Sequence, residues 1–168
     1  MDKALSAEEV LKIAGIPIKL IKYSDLSLYK TICDIFGTFK AVLLLYEQRI
    51  NSGHWVCLIN HKDTIHFFDS YGLFPDDELR FSNIKFRKEN DMFLPYLTYL
   101  LYHSPKTIDF NDIKLQKIDE KIATCGRWCG MRMRMHKLTN DEFSDLFKNI
   151  KKNERDPLIV NLTEKYIV

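Results

Sequence analysis

The run GHWVCLINHKDTIHFFDSYG at residues 53–72 leaves little choice of local structure. Residues 54–60 and 64–69 are rich in β-branched and aromatic side chains, and the polar cluster His61-Lys62-Asp63 separates them. That pattern reads as two antiparallel strands joined by a tight turn. If the turn is His61-Lys62, Asn60 faces Asp63 and His54 faces Asp69. Directly opposed residues in such a pair place their Cβ atoms roughly 4.5–5.5 Å apart on one face, so an imidazole and a carboxylate meet. A one-residue slip would send them to opposite faces. Both faces of the hairpin are apolar, with Val56, Leu58, Ile65 and Phe67 on one and Trp55, Cys57, Ile59 and Phe68 on the other. A sheet of this kind needs helices above and below.

The flanking chain supplies them. Residues 6–14 read as a short helix with a Ser6/Glu9 capping box and Gly15 as its stop. Residues 16–23 form an apolar connector or edge strand. Residues 24–36 read as a second helix from Ser24 to Gly37, with Leu26, Tyr29, Ile32, Cys33 and Phe36 facing the core. Residues 38–47 are apolar on both faces and form an internal strand; residues 48–53 are a polar loop. Residues 71–80 are a loop with a turn at Pro75-Asp76-Asp77. Residues 91–103 read as a helix capped by Asn90 or Asp91, with Pro95 in its first turn. Residues 107–115 alternate as a further strand. A helix then starts near Cys125 and runs to about Lys137. Thr139 and Glu142 form a capping box for another helix, to about Lys151, and Asp156-Pro157 opens a last helix to about Tyr166. The expected fold class is α+β: a single domain over residues 1–168, with a central, mostly antiparallel sheet flanked by helices.

Composition narrows the function class only by exclusion. The chain has 168 residues, 46% hydrophobic and 29% charged, with net charge +2. That charge argues neither for nor against nucleic acid. The cysteines at 33, 57, 125 and 129 do not form a secreted disulfide framework, and Cys57 sits in an apolar strand, which points to a reducing compartment. The N-terminus has no signal-peptide pattern, and no apolar run approaches the ~18 residues of a membrane span.

The segment Thr124-Cys125-Gly126-Arg127-Trp128-Cys129-Gly130 puts a thiol at a helix start. The unpaired N–H groups and the dipole there favour negative charge, hence the nucleophilic thiolate. An imidazole beside it holds the ion pair and later protonates a leaving amine. His54 is the candidate, and Asp69 would fix its tautomer and stabilise its charged form. The Cys125 N–H faces where an oxyanion develops, and Gln116 is the candidate amide to complete the hole. Taken singly, each residue has a structural reading: a packed histidine, a turn aspartate, an inert buried cysteine, a surface glutamine. Their joint occurrence favours catalysis.

Gly53-His54-Trp55, then Phe68-Asp69-Ser70-Tyr71-Gly72, then Gln116, then Cys125-Gly126 resemble, in this order, the adenovirus-type and SUMO-protease-type (Ulp1-like) cysteine peptidases. The likeness is greatest to short processing proteases of large DNA viruses, virophages and related mobile elements, and covers roughly residues 38–137. It implies a papain-like α+β fold with rearranged chain order. It also implies a triad of His54, Asp69 and Cys125 with Gln116 in the oxyanion hole. The substrates it implies are proteins cut near glycines, either capsid precursors or ubiquitin-like tails. The gap from Gln116 to Cys125 is longer than the SUMO-protease branch shows. Without a long N-terminal extension, substrate recognition falls to the chain's own loops.

The resulting expectation is a cysteine endopeptidase that needs no cofactor or metal, matures virion proteins, and acts in the virion or the host cytoplasm. The enzymatic alternative is a deubiquitinase or deSUMOylase; the non-enzymatic one is a capsid-associated or DNA-binding structural module. A zinc site of Cys125, Cys129 and His136 fits no strong metal pattern. Arg127, Arg132, Arg134, His136 and Lys137 form a basic run that reads as a solvated helix face, or as a weak DNA-binding surface like the one the adenovirus-type enzymes use. The alternation of Met131, Met133 and Met135 fits no single helix face.

Overall fold

The computed structural model describes residues 3–168. Five strands, β1 (Lys19–Lys22), β2 (Ala41–Arg49), β3 (Ser52–His61), β4 (Thr64–Phe68) and β5 (Thr107–Phe110), lie side by side in sequence order. The three central strands are antiparallel, as expected of the sheet, and each edge strand runs parallel to its neighbour, so the sheet is mixed. The helices are α1 (Ala7–Ala14), α2 (Ile32–Phe36), α3 (Ile84–Glu89), α4 (Tyr96–Tyr102), α5 (Cys125–Arg134), α6 (Asn140–Asp145) and α7 (Lys152–Ile167). The architecture is α+β, with helices on both sheet faces.

The strand alternation sorts the core in two. Val42, Leu44, Val56, Leu58, Ile65 and Phe67 pack against α2 and α4. Ala41, Leu43, Cys57, Ile59 and Phe68 pack against α1, α5, α6 and α7. Each large side chain removed from water contributes about 1.5–3 kcal/mol, so a polar residue on either face has to be matched by a partner. The helix α5 lies between the sheet, α1 and α7 and is buried nearly all round. Met131 and Met133 are buried and Met135 packs against the same cluster, which explains a methionine alternation that one helix face cannot satisfy.

The hairpin register differs from the expected one by two residues. The turn is Lys62-Asp63, His61 pairs with Thr64, and Cys57 pairs with Phe68. Lys62 takes the left-handed conformation, with φ of 54°. An even shift preserves facing, so His54 and Asp69 remain on one face but meet diagonally. Tyr71, in the turn beyond the end of β4, stacks its ring on the imidazole at 4.1 Å and 6°.

Other boundaries move for local reasons. The capping boxes Ser6/Glu9 and Thr139/Glu142 both form. Residues 24–36 are not one helix. A 3-10 turn (Tyr23–Leu28) gives way to extended Tyr29, and Thr31 caps α2 by accepting from the Asp34 N–H at 3.1 Å. Cys33 thereby becomes exposed. The loop at 48–53 shrinks to a tight turn with Asn51 left-handed. Between β4 and β5 the loop expected at 71–80 ends in a 3-10 turn (Asp77–Phe81), and α3, capped by Asn83, follows it where the sequence reading assigns no element. α4 starts after Pro95, because proline disfavours helical geometry in the residue before it. α6 ends at Asp145, short of Lys151. Asp156-Pro157 does not open α7, which begins at Lys152; Asp156 is buried and serves other partners.

The basic run is also corrected. Arg132 is fully buried, donating to Asn140 Oδ1 (2.9 Å) and to the carbonyls of Met135 and Leu138. Arg127 bonds Thr163 Oγ1 (3.0 Å) and Glu164 Oε2 (2.9 Å) on α7. Arg134 donates to Ile13 O and lies over the Tyr166 ring. These guanidiniums fasten α5 to its neighbours, so they form neither a solvated face nor a DNA-binding surface; of the proposed DNA contacts only Lys137 is exposed.

Candidate active site

His54 stands near the start of β3 where backbones crowd. A Cβ on Gly53 would lie 1.9 Å from Tyr46 O, so only glycine fits there, next to the register shift between Glu47 and Arg49 in β2. That crowding fixes where the next side chain leaves the strand. His54 Nε2 meets Asp69 Oδ1 at 2.8 Å, and both residues are buried. Asp69 follows β4 directly. Its Oδ1 also accepts from the Tyr71 N–H (2.8 Å), and its carbonyl accepts from Asn111 Nδ2 (2.8 Å).

Cys125 is the first residue of α5, so its N–H has no intrahelical acceptor. α5 approaches α1 closely through two glycines. A Cβ on Gly126 would meet Val10 at 2.9 Å, and one on Gly130 would meet Ile13 at 2.7 Å. This packing sets the Cys125 thiol on the wall of the cleft that His54 also lines, near enough for the sulfur to act on the ring's charge. Burial works against a charged imidazole, but the Asp69 carboxylate and the Cys125 sulfur outweigh it and hold His54 well above its ordinary pKa.

Gln116 arrives through a residue that the sequence reading did not single out. Ser70, next to Asp69, accepts from the Leu115 and Gln116 N–H groups through its carbonyl, both at 2.9 Å. Its hydroxyl donates to Gln116 Oε1 at 2.7 Å. Gln116 Nε2 donates to Ile122 O (3.1 Å), leaving a second N–H free. A cleft of about 570 Å³ is lined by His54, Trp55, Tyr71, Glu78, Gln116 and Cys125. Three of the four residues expected from sequence, His54, Gln116 and Cys125, thus line one opening, and the fourth, Asp69, is buried and bonded to His54. The longer gap before Cys125 is taken up by residues 117–124, pinned at both ends by Asp156: Lys117 N donates to its Oδ2 (3.0 Å), and Thr124 Oγ1 and Trp128 Nε1 donate to its Oδ1 (2.7 and 3.0 Å). The Asp-Pro pair imitates a helix cap in sequence, which concealed this role.

Cys129 is inert by comparison. It is fully buried, it hydrogen-bonds Trp55 O at 3.4 Å, and burial beside Cys57 pushes its thiol well above the usual range. Among the described residues, Cys125, Cys129 and His136 do not converge as a metal site; the one grouping of three potential donors is His54, Asp69 and Glu78. Glu78 is the second residue that sequence reasoning missed, because nothing local separates it from its neighbours Asp76 and Asp77.

No protein-family model matches the sequence. Among solved structures, the chain is similar to the central domain of the uncharacterized Lpg1148 protein from Legionella pneumophila, at 11% identity and TM-score 0.48, covering 98% of this chain and 96% of that one. It is also similar to the ASFV pS273R protease, at 12% identity and TM-score 0.49, covering 96% and 68%. A third is ChlaDub1 from Chlamydia trachomatis, at 14% identity and TM-score 0.40, covering 95% and 77%. Among curated proteins, the uncharacterized protein V9 of Sputnik virophage is 38% identical over 141 residues, 83% of this chain and 81% of V9. Identity at that level over most of both chains means that this protein belongs to the family of the virophage protein V9.

Proposed function

We propose that this protein is a cysteine endopeptidase. The observation that carries the reading is a helix-start thiol and an imidazole lining one cleft, with a buried carboxylate bonded to that imidazole. Cys125 Sγ attacks the scissile carbonyl carbon, forming the C–S bond. The oxygen takes the negative charge and is met by the Cys125 N–H and the free N–H of Gln116. His54 gives its proton to the leaving amine as the C–N bond breaks, leaving a thioester. His54 then takes a proton from water, which attacks the thioester and returns the thiol. Asp69 keeps the ring oriented and stabilises its charged form. The chemistry calls for no cofactor.

The substrates are proteins. Kinship with a virophage protein favours virion-protein precursors, cut at glycine-containing sites, over ubiquitin-like tails. The test is incubation with candidate capsid precursors and with ubiquitin-like substrates, comparing wild type with Cys125→Ala. Processing of the precursors, lost in the variant, supports the reading. Processing of ubiquitin-like tails alone replaces the substrate class, and cleavage that persists in Cys125→Ala rejects the nucleophile.

A further inference from the structure

Three carboxylate oxygens beside His54 have no hydrogen-bond partner: Oδ2 of Asp69 and both side-chain oxygens of Glu78. Glu78 is 1% exposed, on the 3-10 turn that follows β4. One oxygen from each carboxylate and one ring nitrogen of His54 all lie within 4.8 Å of one another. Two unpaired buried carboxylates this close cost several kcal/mol unless something neutral or positive comes between them. The groups acting on Glu78 are few. His54 on β3 and Arg80 on its own turn favour its charge, and Asp69 opposes it; the Tyr71 phenol lies nearby. From β2, which packs against the same turn, the Glu47 carboxylate is engaged by the Ser24 N–H. His54 is already matched by Asp69, so a second carboxylate beside it is left with only the weaker pull of Arg80.

This inference rests on the reading of Cys125 and His54 given above. We infer that Glu78 is a positioning residue of the same site: its neutral carboxyl donates an O–H···O bond to Asp69 Oδ2, which steadies the carboxylate whose other oxygen orients His54. Burial and the Asp69 charge act in the same direction, pushing Glu78 up to about 7 against the pull of His54 and Arg80. Below that pH the acid holds Asp69. Above it the bond is lost and the cleft gains a negative charge.

The test uses the full chain and needs no substrate. Alkylation of Cys125 is followed with neutral iodoacetamide and anionic iodoacetate between about pH 5.5 and 8.5, in wild type, Glu78→Gln and Glu78→Leu. In wild type the iodoacetate-to-iodoacetamide rate ratio falls several-fold through a step near pH 7, as the acquired charge repels the anion. Both variants lack the step. Gln retains an N–H donor for Asp69 Oδ2, so Glu78→Gln alkylates with iodoacetamide at about pH 6 within roughly threefold of wild type, and Glu78→Leu is slower by about tenfold. The step in wild type is readable even if a variant fails to fold. Absence of that step, its persistence in Glu78→Gln, or equal rates in the two variants overturns the inference. Slowing by micromolar zinc that depends on Glu78 also overturns it, making the cluster a cation site. If Cys125 is not the fastest-labelled cysteine, the peptidase reading itself fails, a result separate from all of these.

Discussion

Two imidazole–carboxylate pairs sit on this sheet, and by distance and by the burial of the imidazole they are hard to tell apart, although the Asp109 side chain is 26% exposed and that of Asp69 is sealed. His54 meets Asp69 at 2.8 Å and His66 meets Asp109 at 2.6 Å, and each histidine is 3% exposed. Their surroundings differ. Asp109 Oδ2 also accepts the Asn140 N–H at 2.9 Å. The Asn140 amide donates to the Phe67 and Asp109 carbonyls and accepts from Arg132 Nε. That pair is a strut fastening α6 to β4 and β5, with its neighbouring polar groups paired. Around His54 the Cys125 thiol lines the same cleft, and an Asp69 oxygen and both Glu78 side-chain oxygens are left without an N–H or hydroxyl donor. A buried His–Asp contact therefore does not mark a reactive site. What lies on the imidazole's other side, and whether surrounding valences are left open, does.

The largest expected contrast comes from removing each imidazole. His54→Ala should slow Cys125 alkylation near neutral pH by about 10²-fold or more, since the sulfur loses the base that can take its proton. His66→Ala should leave that rate within about twofold and instead lower stability by roughly 2–4 kcal/mol, because Asp109 is left without its partner. Rates by mass spectrometry of labelled peptides and stabilities by urea titration read the two effects apart. Equal rate losses would abolish the distinction. The carboxylates should divide the same way. Asp69→Asn should cost about 10²–10⁴-fold in turnover of whichever substrate proves correct, through loss of imidazole orientation. Asp109→Asn should cost about 1–3 kcal/mol of stability with turnover unchanged.

The His54–Asp69 pairing was legible in the sequence and the strut was not, for a physical reason. His54 and Asp69 belong to one hairpin, where alternation fixes facing even when the turn is misplaced, and the two-residue register shift left them on the same face. His66 and Asp109 are joined by a parallel pairing across 43 residues, which no local pattern reports. The same divide runs through the fold. Capping boxes and two-sided apolar strands were readable because their partners are close in sequence. The burial of Arg127 and Arg132 depends on acceptors in α7 and in the turn after α5. Asp156 likewise looks like a cap until its donors at Lys117, Thr124 and Trp128 are known. Glu78 becomes meaningful only when the turn carrying it folds against His54.

A further contrast lies in the extra acid. The reactive pair has Glu78 buried beside it, and this predicts a pH dependence of stability with a definite sign. The folded-state pKa of Glu78, about 7, lies above its ordinary value of 4.5. Its contribution is therefore fully present below about pH 4.5 and is lost as pH rises through about 7. Wild type should lose on the order of 3 kcal/mol relative to Glu78→Gln across that interval. Urea midpoints at about pH 5 and pH 8 in both proteins measure it. Parallel profiles would mean that Glu78 is solvated or paired in solution, and the asymmetry between the two sites would shrink.

The smallest effect tests how the oxyanion donor is held. The Ser70 hydroxyl gives its proton to Gln116 Oε1, which orients the amide so that one N–H goes to Ile122 O and the other stays free. Ser70→Ala removes that donor but keeps the carbonyl that receives the Leu115 and Gln116 N–H groups, so the loop should hold its course. Stability should fall by about 1 kcal/mol. Turnover should fall by about tenfold, because the amide is free to flip and present its oxygen to the developing charge. Alkylation of Cys125 should not change, since no oxyanion forms in that reaction. Ser144 is the matching hydroxyl near the strut, donating to Asn111 Oδ1 at 3.2 Å. Ser144→Ala should show the stability loss alone. A turnover loss in Ser70→Ala that is mirrored in alkylation would place Ser70 in the support of the nucleophile and not of Gln116.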